Sequence, residues 1–535
     1  VIQPDPALAR QCVALAPLVA VITAFLIPIL HMATKSRFVA WLVSELGMLF
    51  ALAASAYAAF AVYSGGGVIT YEFAAFPPPL GITYIVDHIN AFIGLLVAAV
   101  FFLVNIFAYT YIKVVGGDEW YYTITMGMEA GLLGIAYTGD IFNLFVMMEV
   151  ASVATYAVIA FRRERGHTLE ASTKYAFIGA VATTVYFIAA VMAYYSFGTL
   201  NMANIAAIVM NYGGAFSTYF GEGFAANPYL ALAVFLGLAA WALMIEAALF
   251  PMHFWLPDAY SAAPATASAS LAAVAEGVYI YAIARLMYTV GGAEHVEWLR
   301  WVMLILGSAA VIFGGYALAI QNGLKKMIAY SAVLDVGFMF IGLGIGTQAA
   351  IAATLYYILS HAVVKPLLFM VAGAAEHSIG TTSLPEIGGR LRASPILGFG
   401  LLVGGLAVAG VVPLNLFFAK LGLVIASIET GMYPLIIIIA VGSALALVGF
   451  MRAFYAAYFN ISKPVDGIEV PASFRAMILL FALGVIATGI AYYYIAPAII
   501  EPAARSLLDP TARKAYVDAA QALLNQVVTI SSVGG

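Results

Sequence analysis

Apolar runs close to twenty residues long recur along nearly the whole of this 535-residue chain. A hydrocarbon layer about 30 Å thick is crossed by roughly 20 helical residues, and no backbone polar group can be left unpaired inside it. The runs are continuous and do not alternate, which specifies membrane helices and argues against a barrel of strands. With 64% hydrophobic and 9% charged residues and a mean hydropathy of +1.02, a water-soluble fold of this size has too little polar surface to cover itself. The chain is predicted to be an all-α polytopic membrane protein.

A yardstick of roughly 20 residues per crossing gives about 14 spans. They fall near 11–31, 38–63, 89–113, 120–138, 141–161, 174–198, 229–255, 264–289, 299–321, 327–346, 349–373, 394–426, 431–458 and 473–498. The loops test this count. Odd-numbered loops and their edges hold Lys35, Arg37, Lys113, Arg162, Arg163, Arg165, Lys174, Lys325, Lys326, Arg390, Arg392, Arg452, Lys463 and Arg475. Even-numbered loops hold only Arg285 and Arg300, at the ends of spans 8 and 9. An error of one span scrambles this asymmetry. Cytoplasmic loops are enriched in lysine and arginine, so the odd loops are predicted to be cytoplasmic and both termini to lie outside. The first run has no small-residue cleavage site after it and is read as a membrane helix, not a removed signal.

Net charge is −4, which points to no nucleic-acid partner, and the single Cys12 supports neither an internal disulfide nor a cysteine-held iron–sulfur cluster. No phosphate loop, zinc spacing or nucleophile motif stands out. No cofactor is expected in this chain, and no redox or hydrolytic centre. The tail after about residue 501 reads as short and amphipathic at best.

Against this background, Glu149, Glu246, Lys365 and Lys420 lie in the middle of apolar spans. A charge at a helix centre costs roughly 2.5–3.5 kcal/mol, so such residues face a bundle interior or a hydrated path. His361 and Lys365 are four residues apart and share a helix face. Glu129, Glu276 and Asp335 are further acids in spans 4, 8 and 10, His253 is a candidate shuttle, and Glu45 in span 2 is a weaker candidate. Span 7 carries Pro251, which cannot donate to the carbonyl of Ala247, next to Glu246. Span 12 is too long for one straight crossing and carries Gly410 and Pro413 before Lys420. Broken helices near mid-membrane mark ion sites in transporters built from inverted repeats. Spans 4–8 and 9–13 are candidates for two such repeats, though their sequences share too little to establish it. The pattern points to a protein that moves charge through a membrane.

The stretches 140–149, 246–268, 326–337, 361–368 and 410–420 resemble the antiporter-like subunits shared by respiratory complex I, Mrp-type sodium/proton antiporters and membrane-bound energy-converting hydrogenases. The wording around Glu149 and Pro251–Pro264 is closest to the D-type Mrp subunit and its hydrogenase counterpart. The resemblance covers spans 3 to 13. It implies 14 helices with two inverted five-helix repeats, broken helices 7 and 12, and a central axis of charged residues joining two half-channels. The chain then divides into helices 1–3 (1–119), a first repeat (120–289), a second repeat (299–458), and helix 14 with its tail (473–535). Glu149 matches the family's span 5 glutamate, Lys365 its span 11 lysine, His361 the nearby histidine, and Lys420 the lysine of the second broken helix.

Three departures stand out. The family usually has lysine where this chain has Glu246. Its span 8 lysine falls on Gly277, beside Glu276, and a span 10 position that is often glutamine falls on Asp335. The first repeat is therefore purely acidic. Three readings stay open: a Na⁺ site near Glu149 and Glu246, a carboxyl pair sharing one proton, or a half-channel that no longer conducts. The function expected is a proton- or Na⁺/H⁺-translocating subunit of a multisubunit complex in a prokaryotic inner membrane, driven by redox chemistry or an ion gradient in partner subunits. The rivals are a stand-alone transporter for another solute and a non-conducting structural subunit.

Overall fold

The computed structural model describes residues 3–65, 67–112, 117–210, 228–460, 462 and 468–533. Lys113 and Lys463, two of the loop cations, lie outside them. Helices α1 (Pro6–Thr34) and α2 (Arg37–Gly65) lead into an antiparallel ribbon of β1 (Ile69–Glu72) and β2 (Thr83–Val86). Next come α3 (His88–Ile112), α4 (Asp118–Tyr137), α5 (Ile141–Ile159), α6 (Gly166–Phe197) and a short α7 (Met202–Val209). The first interrupted helix is α8 (Pro228–Glu246) with α9 (Leu256–Ala262), followed by α10 (Ala265–Ala284), which runs on as a π-helical turn at Arg285–Gly291. Helices α11 (Glu297–Ile320), α12 (Leu324–Ile345) and α13 (Gln348–Ile379) precede the second interrupted pair, α14 (Pro395–Ala409) and α15 (Asn415–Glu429). The chain ends with α16 (Tyr433–Phe454), α17 (Ala472–Ile490), α18 (Glu501–Leu508) and α19 (Pro510–Val533). Twelve described helices are long and apolar enough to cross a membrane, and the chain is a multi-pass helical membrane protein. That set omits α4, α14 and α15, which the sequence reading counted within spans 4 and 12.

Three helices form the centre of the bundle. The most apolar stretches of α10, α12 and α13 are 100%, 94% and 89% buried, against 39% for α6. Small residues make this possible: α10 opens Ala265-Thr266-Ala267-Ser268-Ala269-Ser270, and helices lined with alanine and serine approach closely. These same three helices carry Glu276, Asp335, His361 and Lys365.

Both interrupted helices end in one way. Beyond α8, Ala248 takes a left-handed φ of 53°, its N–H bonds Ile245 C=O at 3.0 Å, and Leu249 N–H bonds Met244 C=O at 2.9 Å. Beyond α14, Gly410 takes φ 81°, its N–H bonds Ala407 C=O at 2.9 Å, and Val411 N–H bonds Leu406 C=O at 3.0 Å. These paired reverse bonds satisfy carbonyls that a helix end leaves open. Pro251 and Pro413 each follow the left-handed residue by three positions. The first break thus falls earlier than the sequence reading placed it: the helix is capped before proline is reached, and Glu246 is its last residue. Alanine at the left-handed position costs about 1–2 kcal/mol that glycine at 410 avoids.

Cations expected only to set topology are bound into the structure. On the lysine- and arginine-rich face, Glu376 accepts from Lys325 at 2.6 Å, Arg162 at 2.8 Å, Tyr111 at 3.3 Å and Arg165 at 3.4 Å. Nearby, Asp258 bridges Lys174 and Lys326, both at 3.0 Å. On the opposite face Arg285 is not a loop residue but a buried one. It grips Asp87 through two hydrogen bonds of 2.9 and 2.7 Å and reaches Asn90 and Thr289. The tail is also more than a loose amphipathic end. Arg513 of α19 donates to the carbonyls of Thr289 and Val290, and the Tyr516 ring lies 4.8 Å from the Arg285 guanidinium. The start of α1 meets the same face, where Arg10 pairs with Glu72 of β1 at 2.8 Å.

Breaking a buried ion pair from one side strands the other charge and costs about 3–5 kcal/mol. Asp87→Asn is therefore expected to destabilise the fold by roughly that amount and to free α18–α19, read as faster proteolytic clipping after residue 500. Asp258 gives a pH signature. Burial by itself pushes its carboxyl up, but the hydrogen bonds and charges of Lys174 and Lys326 hold it below the usual aspartate range. A carboxyl lowered by folding stabilises above its unfolded pKa and stops doing so as pH falls through its folded value. The thermal-stability gap between the wild type and Asp258→Asn should be flat at neutral pH and close only in acid below the ordinary aspartate range.

Candidate functional site

Lys365 and Asp335 have no exposed side-chain surface and meet at 2.8 Å across α13 and α12. Three more groups complete the site. Tyr357 O–H donates to Asp335 Oδ1 at 2.6 Å, His361 Nδ1 lies 3.2 Å from Asp335 Oδ2, and Lys365 Nζ donates to Ser331 Oγ at 2.5 Å. Residues 357, 361 and 365 are one turn apart on α13, so a single face presents all of them. His361 Nε2 has no partner among the described residues.

Lys420 lies beyond the second break, on α15. Its Nζ donates to Val408 C=O at 2.7 Å, a carbonyl freed by the end of α14, and to Ser443 Oγ at 3.1 Å. It also stands 4.6 Å from the Phe338 ring centre, and its charge acts on those of Asp335 and Lys365. An ammonium here is held by dipoles and an aromatic face, and among the described residues it pairs with no carboxylate.

The acids of the first half are served by tyrosines. Tyr175 O–H donates to Glu246 Oε2 at 2.8 Å, and Tyr260 O–H donates to Glu276 Oε1 at 2.9 Å. Tyr175 stacks on Trp255 at 3.9 Å between ring centres. Glu246, Tyr175 and Tyr260 line one small cavity of about 10 Å³, near the least that admits a water molecule. Glu246 Oε1 and Glu276 Oε2 have no hydrogen-bond partner among the described residues. Glu276 in turn lies within electrostatic reach of Lys365 and Asp335. Glu149 is half-buried and lies within electrostatic reach of Glu246.

The structure thus brings Glu149, Glu246, Glu276, Lys365, Asp335, His361 and Lys420 into one series. Glu276 and Asp335, ranked below the others from sequence, are its middle. Gly277 is explained by packing: a Cβ there would sit 2.8 Å from Ile358 Cγ2, so α13 fills the space a lysine would need. Two candidates fall outside the series. His253 packs between the rings of Phe250 and Phe313, with Nδ1 unpartnered among the described residues. Glu129 is fully buried, and the ionisable group acting on it is Glu45. Tyr175, Tyr260, Tyr357, Ser331 and Ser443 were not singled out in the sequence. Among the described residues, no group of three or more histidines, cysteines, aspartates or glutamates is placed to hold a metal ion.

Asp335→Asn is expected to strand the buried Lys365 ammonium and lower stability by about 3–5 kcal/mol. Adding Lys365→Met should recover most of that loss. A double-mutant cycle on unfolding midpoints checks the coupling, which is expected to exceed about 1 kcal/mol for groups in contact.

Comparison with known proteins bears on this geometry. The chain is 32% identical over 439 residues to NADH-quinone oxidoreductase subunit N of Desulforudis audaxviator, covering 78% of this chain and 84% of that protein. It is 30% identical over 473 residues to the D-type subunit of the Na(+)/H(+) antiporter of Alkalihalophilus pseudofirmus, covering 88% and 92%. Among solved structures, a chain of the membrane-bound sulfane sulfur reductase, an archaeal respiratory membrane complex, superposes with a TM-score of 0.85 at 27% identity, covering 95% of this chain and all of that one. Residues 138–446, which contain every member of the series, match the family described as NADH:quinone oxidoreductase/Mrp antiporter, TM, and the chain belongs to that family.

Proposed function

We propose that this chain is the proton-translocating, antiporter-like subunit of a multisubunit membrane complex, with protons passing among Glu149, Glu246, Glu276, His361, Lys365 and Lys420. One observation carries the reading: titratable side chains that are buried, or half-buried for Glu149, follow one another from the first interrupted helix to the second. Each is within hydrogen-bond or electrostatic reach of the next, Glu246 and Glu276 by way of the Tyr260 hydroxyl between them. Buried ionisable groups in membrane helices are retained where charge moves. The two helix ends with matching caps support a pair of inverted repeats, 120–289 and 299–458, within a 14-helix fold. The cation-rich face is taken as cytoplasmic, with both termini on the outer side of a prokaryotic inner membrane. The relatives are subunits of NADH-quinone oxidoreductase and of a Na(+)/H(+) antiporter. Moving one charge against 100 mV costs about 2.3 kcal/mol, and the drive is assigned to partner subunits.

The cavity at Glu246 is far below the 300 Å³ or so that a small-molecule pocket needs, which counts against a transporter of organic solutes. The larger clefts do not touch Glu246, Glu276, Lys365 or Lys420. The all-acid first half keeps Na⁺ as an alternative cargo near Glu149 and Glu246. In the intact complex reconstituted in vesicles, Lys420→Met and Glu246→Gln are each expected to slow proton movement at least about tenfold, a barrier change of roughly 1.4 kcal/mol, with assembly unchanged. Wild-type rates in both variants would leave a structural subunit. A Glu246→Gln loss confined to sodium-containing medium would assign the first half to Na⁺.

A further inference from the structure

Away from the central series, α2, α3 and α4 enclose a second pair of acids. Glu129 has no exposed surface, and neither of its carboxylate oxygens has a partner among the described residues. Glu45 is 9% exposed. Its Oε2 accepts from Asn105 Nδ2 at 2.8 Å, and its Oε1 has no partner among the described residues. The two acids lie within electrostatic reach of each other, and among the described residues Glu45 is the ionisable group that acts on Glu129. Three buried carboxylate oxygens therefore have no donor among the described residues. An isolated ion in such a place is costly to desolvate, and two like charges within reach of each other cost more. A proton removes both problems at once, because a carboxylic acid donates where a carboxylate only accepts.

The surroundings also hold Glu45 in place. Asn105 Nδ2 donates to Ser44 Oγ at 3.0 Å as well as to Glu45, Ser44 O–H donates to Trp41 C=O at 2.7 Å, and Trp41 Nε1 donates to Asn105 C=O at 3.1 Å. Trp41 lies four residues from the start of α2 and Glu45 eight, about 6 and 12 Å along the helix, while Glu129 lies about 16 Å along α4. Both helices start at the cation-rich face, so Glu45 lies nearer that face and Glu129 deeper.

We propose that Glu45 and Glu129 form a second proton-binding site, separate from the central series, in which one proton is held by the two carboxyls and loaded at Glu45, the acid nearer the cation-rich face, with Asn105 donating to that carboxyl. Loading transfers a proton from hydronium to the Glu45 carboxylate, leaving water. Passage inward breaks the Glu45 O–H bond as a Glu129 O–H bond forms. A cation in place of the proton is the weaker fit, since hard cations take six or more oxygen ligands and three free carboxylate oxygens are present. The site stands on the burial of these residues and not on transport through Glu246.

Infrared difference spectroscopy of the intact complex, in H₂O and D₂O, tests this. The wild type should show a deuterium-sensitive carboxylic acid C=O band that Glu129→Gln removes, that Glu45→Gln shifts or removes, and that Glu246→Gln leaves in place. Asn105→Leu, which removes the donor to Glu45, should shift it. A band unaffected by Glu129→Gln would overturn the site, and one unmoved by Glu45→Gln would reduce it to a solitary acid. A band unmoved in Asn105→Leu would overturn the part assigned to Asn105. If Glu129→Gln fails to assemble, Glu45→Gln at the bundle edge still decides whether the two acids share a proton. Failure here leaves the vesicle assay on Glu246 and Lys420 untouched, and failure there leaves this band in place.

Discussion

An ammonium and a carboxylate with no access to solvent at their own positions hold the middle of this protein together. Lys365 and Asp335 are tolerable in an apolar bundle only because each is the other's counter-charge, with Tyr357, His361 and Ser331 taking up the remaining hydrogen-bonding capacity. The pair requires α12 and α13 to pack face to face. That packing in turn buries α10 between them and the first half, and Glu276 on α10 comes within reach of Lys365. Burial is thus the condition that turns separate acids and bases into an interacting set.

The two halves solve the same physical problem with different chemistry. In the second half, cations face a carboxylate or backbone dipoles: Lys365 has Asp335, and Lys420 has the open carbonyl of Val408. In the first half no buried lysine is present in the series, and tyrosine hydroxyls donate to Glu246 and Glu276 instead. A tyrosine supplies a donor without adding charge, and its ring fills the apolar space around it. Each of these acids keeps one oxygen without a hydrogen-bond partner among the described residues. The acidic half is therefore a built arrangement with its own donors, and not a lysine-dependent half from which the lysine has been deleted.

Much of this was legible in the chain. Continuous apolar runs announce the helices, and the sign of the loop charges orders them. His361 and Lys365 share a face because four residues make about one turn, which needs no structure to see. What the sequence hid were contacts between residues far apart in it. Tyr175 and Glu246 are 71 positions apart, and Arg285 and Asp87 are 198 apart. No local pattern distinguishes those tyrosines from the many others in a chain that is 13% aromatic. Arg285, Arg162 and Lys325 were read by position along the chain, as loop-edge cations, and the structure shows them buried and paired with Asp87 and Glu376. The identity of a charge is readable locally, but its burial is not. Glu276 and Asp335 were undervalued for that same reason.

The two helix breaks complete the argument, because they determine which backbone groups are available to the series. A continuous helix would tie the carbonyl of Val408 into its own ladder. Since α14 stops at Ala409, that oxygen is free to accept from Lys420 across the gap. At the other break the same cap leaves Glu246 as the terminal residue of α8, lining the cavity shared with Tyr260. The left-handed residues that make these ends are Gly410 and Ala248. Only the first is unstrained, so the first break is the one whose local backbone energy opposes its shape. It persists because Trp255, three residues beyond the turn's last reverse bond at Met252, donates its Nε1–H back to Ile245 C=O at 3.1 Å and stacks on Tyr175. The strain at Ala248 is thus held by the same aromatic pair that positions the donor to Glu246, which makes the geometry of the acid and the shape of the break a single structural unit.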